Sequence, residues 1–580
     1  MQRLFPVYTQ ETVCQDCYKC VRECPVKAIR VEDERAFIVP ERCVACGRCV
    51  RICPSGAKLL RNDVGRVRFL LASGKKVYVS LAPSWVAVYP EWSAGQLVAA
   101  LRRLGFAGVG ETALGAQEVS ASLAEQLGRA ESGLFISSAC PAVVDLVRKH
   151  VPDLAPRITD VASPALTHCR MLRSHFGDDI GVVFIGPCAA KKTEADRNPG
   201  LMNLALTFAE LDGWLAEQSV NPRLFNPGPD DVFVPSAAAE GALYPLVGGM
   251  VETMEHYGVP RTVNMESISG LKRLHDSLVE LKDRDMSPPF FLEGLACRGG
   301  CVNGPCSTRD PSPIDGIVAV RKSARIGPAG PRPGLRVGMN YAPDASAVSE
   351  WGEGAIKEAL SRVGKVKPEH ELNCSACGYD TCRTFARALL AGDAEISMCA
   401  SYMRSIAQRK ANALLRCMPS GVVIVGGDLR IIESNRPFAA ISGPDFAAKF
   451  DANPGLAGTQ VDDMLPIGKF LRAALRSGED IRRERLKTGD RLLTIEVFIL
   501  EEFKIVGAIV DDATQNEMRR DQIARRAREV INRNISTVQE IAMRLGEHMA
   551  DTEILLSSIA EGFAGDDTDG GDGGSADGGS

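Results

Sequence analysis

The stretch Phe291–Cys306, FLEGLACRGGCVNGPC, decides the reading of this chain, because it sets two thiols, Cys297 and Cys301, on either side of the glycine pair Gly299-Gly300. Thiolates are soft ligands that favour iron-sulfur chemistry, and paired glycines let a backbone approach a metal centre closely. The stretch becomes specific when read with SSACPAV (residues 137–143) around Cys140 and GPCAAKKTE (residues 186–194) around Cys188. Three distant segments then supply four thiols to one place.

These three segments resemble the signature motifs of the FeFe hydrogenases, over a span from about Val77 to Gly364. The resemblance implies that Cys140, Cys188, Cys297 and Cys301 hold a 4Fe-4S cluster. Cys301 would bridge it to a two-iron centre with CO and CN ligands. It also implies that Lys191 hydrogen-bonds a cyanide of that centre, and that the backbone of Ala82-Pro83-Ser84 contacts it. Five positions depart from the hydrogen-evolving members. Ala139 replaces the proton-relay cysteine, Ser122 stands where a relay glutamate is expected, and Gly186, Leu295 and Ala165 replace two methionines and a glutamine around the two-iron centre. An alanine neither donates nor accepts a proton, so the relay is cut at Ala139. The replacements resemble the sensory groups of the family, in which hydrogen binding is read as a signal.

Outward from this core, residues 14–24 and 43–53 read CQDCYKCVREC and CVACGRCVRIC, each followed by proline, two copies of the bacterial ferredoxin spacing. In that spacing the fourth cysteine of each run serves the other cluster. Cys14, Cys17, Cys20 and Cys53 are thus expected around one 4Fe-4S cluster, and Cys43, Cys46, Cys49 and Cys24 around its neighbour. Zinc usually needs isolated CxxC pairs instead. A further set, Cys374, Cys377, Cys382 and Cys399, resembles a small 4Fe-4S domain, with zinc as the alternative; Tyr379 and Asp380 read as turn formers. Sixteen of the nineteen cysteines fall into these groups. Cys169, Cys306 and Cys417 are left over and read as small buried hydrophobes.

Alternation of strand and helical patterns from Val77 predicts α/β layers with the site at strand ends. From Met418 the order strand, turn, strand, short helix, then two more strands resembles a PAS domain, with Asn435 starting its helix. Residues 418–513 lack histidine, cysteine and tryptophan, so a ligand-free, dimerising PAS is expected. Apolar positions from Ile531 through Ile535, Val538 and Ala542 to Ile559 keep heptad spacing, which predicts a coiled coil or a single amphipathic helix on its own domain.

The expected organisation is multidomain, α+β and α/β. A dicluster ferredoxin-like domain (1–62) is followed by a two-lobed α/β hydrogenase-like domain (75–364) and a small iron-sulfur domain (365–404). A PAS domain (415–513), a C-terminal helix (514–563) and a disordered acidic tail (564–580) complete it. Arg325–Gly334 marks a loop or subdomain edge. The 580 residues suffice for several cores, and the net charge of −5 equals the five aspartates of the last sixteen residues. The near-neutral remainder offers no electrostatic case for nucleic acid or an anionic membrane. No secretory signal or membrane-length apolar run is evident, so a cytoplasmic location is expected.

Function is read as a hydrogen or redox sensor with slow H2 turnover, signalling through PAS and coiled coil. Its expected partners are molecular hydrogen, maturation proteins, a second copy, and a soluble redox carrier or a kinase or phosphatase on another chain. Two rivals remain. One is a turnover hydrogenase using another proton path through Cys169, His168 or water. The other is an electron-transfer or cluster-assembly protein lacking the two-iron centre.

Overall fold

A computed structural model describes residues 5–307, 313–324, 332–345, 350–489, 491–513 and 527–535. Most of the loop 325–334, the helix outside 527–535 and the tail 564–580 lie outside the described residues. The chain divides into two compact units, Met1–Ile396 and Ser397–Ser580.

In the first unit, strand β1 (Val7–Thr9) pairs antiparallel with β4 (Lys58–Leu60), and β2 (Ile29–Glu32) pairs with β3 (Arg35–Ile38). Each cysteine run leads into a short helix, Lys19–Glu23 or Arg48–Ile52. Both helices start after a left-handed residue, Tyr18 at φ 54° and Gly47 at φ 73°, so the sequence repeat is also a backbone repeat. Gly47 is fixed twice over. A Cβ there would lie 2.8 Å from Pro305 Cγ and 3.2 Å from Ala189 Cβ, which lets this module press against the segment after Cys188.

Helix Val64–Leu71 falls between the expected domains, yet Val64 and Val67 are buried in one core with Val79, Leu97 and Val183. A buried ion network anchors it. Lys192 Nζ is fully enclosed and donates to Asp63 Oδ2 at 2.9 Å, Glu210 Oε1 at 2.8 Å and the Ala205 carbonyl at 3.1 Å, while Arg61 pairs with Asp63 and Asp196. All three ammonium protons find acceptors, the condition under which a buried charge is tolerated.

The first lobe is a parallel sheet in the order β6-β5-β8-β9, comprising β5 (Val77–Leu81), β6 (Gly108–Glu111), β8 (Gly181–Gly186) and β9 (Leu204–Thr207). β5 and β8 are buried along their whole length, which explains why VYVSL and GVVFIG run apolar without alternation. The second lobe is a parallel sheet in the order β10-β11-β7, from β7 (Leu134–Ile136), β10 (Asn264–Ser269) and β11 (Phe290–Leu295). Both lobes therefore place their carboxyl strand ends together, where open α/β sheets bind ligands.

The second unit opens with helix Ala400–Cys417. Its antiparallel sheet has the order β13-β12-β16-β15-β14, from β12 (Gly421–Gly426), β13 (Ile431–Ser434), β14 (Ile481–Thr488), β15 (Arg491–Glu501) and β16 (Ile505–Asp512). Val423 and Val425 face a core with Phe438 and Leu471, while Val422 and Ile509 face Met418 and Ala527 on the other side. Over 527–535 the helix thus lies on its own sheet, with Val530 and Ile531 packed there and Arg528 bound to Glu496 at 2.7 Å. Cys417 corrects its sequence reading: it is exposed, at the last turn of its helix, whereas Cys169 and Cys306 are buried as expected.

Asn435 ties this unit together. Its Oδ1 accepts from Val422 N at 2.7 Å and Phe438 N at 3.0 Å, and its Nδ2 donates to the Ser420 and Leu415 carbonyls at 2.8 and 3.2 Å. Asn435→Ala removes a helix cap and leaves buried backbone groups unpaired, a loss of about 3 kcal/mol. Hydrogen exchange should speed up in Gly421–Gly426 and Arg436–Ser442 while Val77–Leu81 keeps its protection; unchanged exchange in the former would refute this role.

Candidate iron-sulfur and hydrogen-reactive site

Each expected ligand of the central site follows a strand. Cys140 comes after β7 and sits before helix Pro141–His150, Cys188 comes after β8 and before helix Ala190–Arg197, and Cys297 and Cys301 follow β11. Gly300 lies at φ +97°, and a Cβ on it would meet the Pro245 carbonyl oxygen at 2.2 Å. Gly300 is thus explained by close packing on Pro245, and Gly299, at φ +77°, by the Asn303 side chain, whose Nδ2 a Cβ would meet at 2.5 Å.

The four thiols lie within electrostatic reach of one another, and Cys140, Cys188 and Cys301 line one cavity. Cys301 interacts electrostatically with Cys140, Cys188 and Lys191, and Cys297 with Cys301, Cys188, Cys140 and Cys46. Burial pushes all four thiols up, Cys188 to about 11. Buried, clustered thiolates repel and lack water, so a cationic cluster is what makes them stable as anions. Among the described residues no three His, Cys, Asp or Glu side chains close on a single-ion position.

The ferredoxin-like runs bring thiols of both runs within electrostatic reach of one another. Cys20, pushed to about 11 by burial, faces Cys17, Cys14 and Cys53, while Cys43, pushed to about 12, faces Cys46 and Cys24. Cys49 faces Cys46, Cys43 and Cys24, and also Cys20 of the other set. Cys46 in turn faces Cys188. In the small domain Cys374 is exposed, Cys377 half-buried and Cys382 buried, with Cys382 N donating to Asn373 Oδ1 at 2.8 Å. Cys399 precedes helix Ala400–Cys417 at the start of the second unit.

Between the two parallel sheets lies a cavity of about 100 Å³, which collects Ala82, Pro83, Ser84, Ala139, Cys140, Ala165, Cys188, Lys191, Leu295 and Cys301. Residues singled out from the sequence thus converge on one space. Lys191 Nζ donates to Glu194 Oε2 at 2.5 Å and Ser163 Oγ at 3.1 Å, and stands 5.8 Å from the Phe184 ring centre. Gly186 has a packing reason: a Cβ there would lie 2.6 Å from Phe184 and 2.7 Å from Ala82. Phe184 fills wall space from the same strand.

Sequence reasoning missed Glu293, although it stands inside the deciding stretch. It lines the cavity, is buried, and accepts from Ser267 Oγ at 2.5 Å and Met250 N at 3.2 Å. Burial raises its pKa, and it adds a carboxyl to the cavity wall at a position other than Ser122. Tyr244, also on the cavity wall, bonds Ser120 at 2.8 Å. His168 and Cys169 do not line this cavity. His168 bonds Ser80 at 2.8 Å, its Nε2 is buried without a partner among the described residues, and burial holds its pKa down to about 3, so it stays neutral.

The Ser84 hydroxyl tests whether the cavity suits the implied two-iron centre. It is buried with no hydrogen-bond partner among the described residues, beside Lys191 and Cys301. A buried orphan donor needs an acceptor, and the polar ligands of such a centre provide one. The residues present fit the group.

Residues 75–305 match the family model described as iron only hydrogenase large subunit, C-terminal domain; 6–54 match the 4Fe-4S dicluster domain and 371–401 a putative Fe-S cluster family. Residues 75–305 are an iron-only hydrogenase domain. The chain around it is an iron-sulfur protein resembling FeFe hydrogenases. The chain is 27% identical over 357 residues to the NADP-reducing hydrogenase subunit HndD of Solidesulfovibrio fructosivorans, covering 52% of this chain and 57% of that one. Iron hydrogenase 1 of Clostridium pasteurianum is 24% identical over 299 residues, covering 42% and 52%. The chain spans little more than half the length of these two relatives. A structure of FeFe-hydrogenase HydA1 from Chlamydomonas reinhardtii aligns with TM-score 0.38 at 19% identity, over 49% of this chain and 100% of that one. Among the described residues no helix is long and apolar enough to cross a membrane.

Glu293 makes the stability of the hydrogenase domain depend on pH. Its raised folded pKa means the buried acid stabilises fully below its unfolded value and loses that contribution as pH rises through the folded value. The stability of the parent relative to Glu293→Gln should therefore fall as pH is raised from about 4 to about 8. Thermal midpoints of the two proteins that run parallel across that range would contradict it.

Proposed function

We propose that this protein is a hydrogen or redox sensor of the cytoplasm, built on a hydrogenase site with slow turnover. The observation that carries the reading is the cavity that joins Ser84, Lys191 and Cys301 while presenting Ala139 where a relay thiol is expected. Cys140, Cys188, Cys297 and Cys301 hold a 4Fe-4S cluster, with Cys301 as the bridge. When bound, the two-iron centre with its CO and CN ligands supplies heterolytic cleavage and formation of dihydrogen. Lys191 and Ser84 orient it by hydrogen bonds, and Phe184, Ala165 and Leu295 exclude water from that wall.

Cys43, Cys46, Cys49 and Cys24 would hold the neighbouring cluster, whose chemistry is one-electron transfer, and the electrostatic interaction of Cys46 with Cys188 would make it the outlet of the site. From there Cys49 faces Cys20 of the Cys14, Cys17, Cys20 and Cys53 cluster. Cys374, Cys377 and Cys382 of the first unit, within the match to a putative Fe-S cluster family, would supply ligands to the fourth cubane. The antiparallel sheet of the second unit supports a PAS reading, since its strands run 2-1-5-4-3 by their order in this unit and Asn435 caps its first helix. Dimerisation through the PAS, and a kinase, phosphatase or redox carrier on another chain, complete the proposed output; maturation proteins complete the site.

A turnover hydrogenase is the second reading, and Glu293 favours it. The Glu293 carboxyl can hold a proton at the cavity wall and pass it to Ser267, which is half-buried. Both readings share one experiment. The matured protein should show terminal CO and CN infrared bands, and Cys301→Ser should lose them while the ferredoxin-like clusters remain. Retained bands in the variant would refute the bridge.

Turnover separates the readings. Ala139→Cys should raise hydrogen turnover about tenfold to a hundredfold, and Ser122→Glu with it should raise it further. If both variants keep the parent rate with intact infrared bands, protons already travel by another route. Glu293→Gln should then lower the rate.

A further inference from the structure

We propose that Lys27 and Tyr379 form a redox junction, across which the Cys24 cluster exchanges single electrons with the small-domain cluster of Cys374, Cys377 and Cys382. The proposal rests on the cysteine assignments above but not on hydrogen chemistry. Two modules far apart in sequence meet here. Lys27 Nζ donates to the Gly378 carbonyl at 2.6 Å and stands 5.9 Å from the centre of the Tyr379 ring. Lys27 and Tyr379 each interact electrostatically with both Cys24 and Cys377. Tyr379 is buried, so it is more than the turn former its sequence suggests.

The contact is held rigidly. Gly378, at φ +92°, presses so close that a Cβ would meet Val21 Cγ1 at 2.9 Å. Arg42 grips Asp393 with two bonds of 2.6 and 2.8 Å, and Val31 N donates to the Asp393 carbonyl at 3.0 Å. A bidentate pair of this kind fixes orientation as well as distance.

The charge of Lys27 needs an explanation. The residue is half-buried, and its hydrogen bonds go to the carbonyls of Gly378 and Val21. Asp380 acts on it only through space, beyond ion-pair distance, and is itself paired with Lys272 at 3.3 Å. A partly buried cation without a bonded anion is costly. Clusters ligated by Cys24 and Cys377 would carry the missing negative charge, and more of it when reduced. Lys27 then raises the potential of both clusters, which makes the Cys24 cluster a three-way node between Cys188, Cys20 and Cys377. Each transfer moves one electron from one cubane to the next. No bond forms or breaks, and a low-potential one-electron donor, dithionite in the test below, supplies the electron.

The test uses the full chain produced without maturation proteins and reduced by dithionite, followed by EPR-monitored redox titration. In the parent, the Cys24 and small-domain clusters should show mutual spin coupling. Lys27→Gln should lower the potentials of both by at least 59 mV, a tenfold change in equilibrium constant for one electron. Lys27→Arg should restore them, and the Cys14 cluster should not move. Unchanged potentials with all four clusters present, or an equal shift at every cluster, would overturn the junction. Asp393→Asn, which loosens the docking without touching Lys27, should weaken the spin coupling; undiminished coupling there would also count against it. Iron content one cubane short in the parent would instead overturn the ligand assignment, and with it the junction.

Discussion

Four buried thiols turned toward one another cannot all be anions on their own. Burial raises the pKa of Cys140, Cys188, Cys297 and Cys301, and each adds to the repulsion felt by another. A multivalent cation cluster removes the conflict, and the fold can be understood as the scaffold that brings these thiols together from three segments. Two parallel sheets do so by presenting their carboxyl ends to one space. Each sheet is too short to enclose a site alone.

The same constraint explains the order of the modules. The ferredoxin-like module is not a loosely tethered carrier, because Val44 and Ala45 share a core with Leu134, Ile136 and Val143 of the second lobe. Lys149 donates to the Pro40 and Cys43 carbonyls at 3.0 and 2.9 Å and fixes the loop next to the second cluster. Electron transfer is steep in distance, so rigid docking of this kind belongs to a relay.

The iron-sulfur character of the N-terminal module is legible in the sequence because ferredoxin ligand spacing is local, and the two short repeats fall within the dicluster match over residues 6–54. What escaped were contacts made across the chain. Glu293 stood in plain view, but its role depends on Met250 and Ser267 from elements that the strand pattern cannot place. Gly186 looked like the loss of a methionine until Phe184 was seen to occupy the space. Helix Val64–Leu71 falls between the expected domains because its partners, Val79 and Val183, belong to strands further on. Lys27 and Tyr379 carry no motif at all, and only folding brings them together.

The proposed function requires that the cavity between the two sheets hold two irons continuous with the cubane of Cys140, Cys188, Cys297 and Cys301. Iron-edge anomalous diffraction from crystals of the matured protein would locate them. The expected result is a pair of iron peaks bounded by Ser84, Lys191 and Cys301 and adjoining a four-iron group. Iron density confined to the ferredoxin-like and small domains, with that cavity empty, would contradict it.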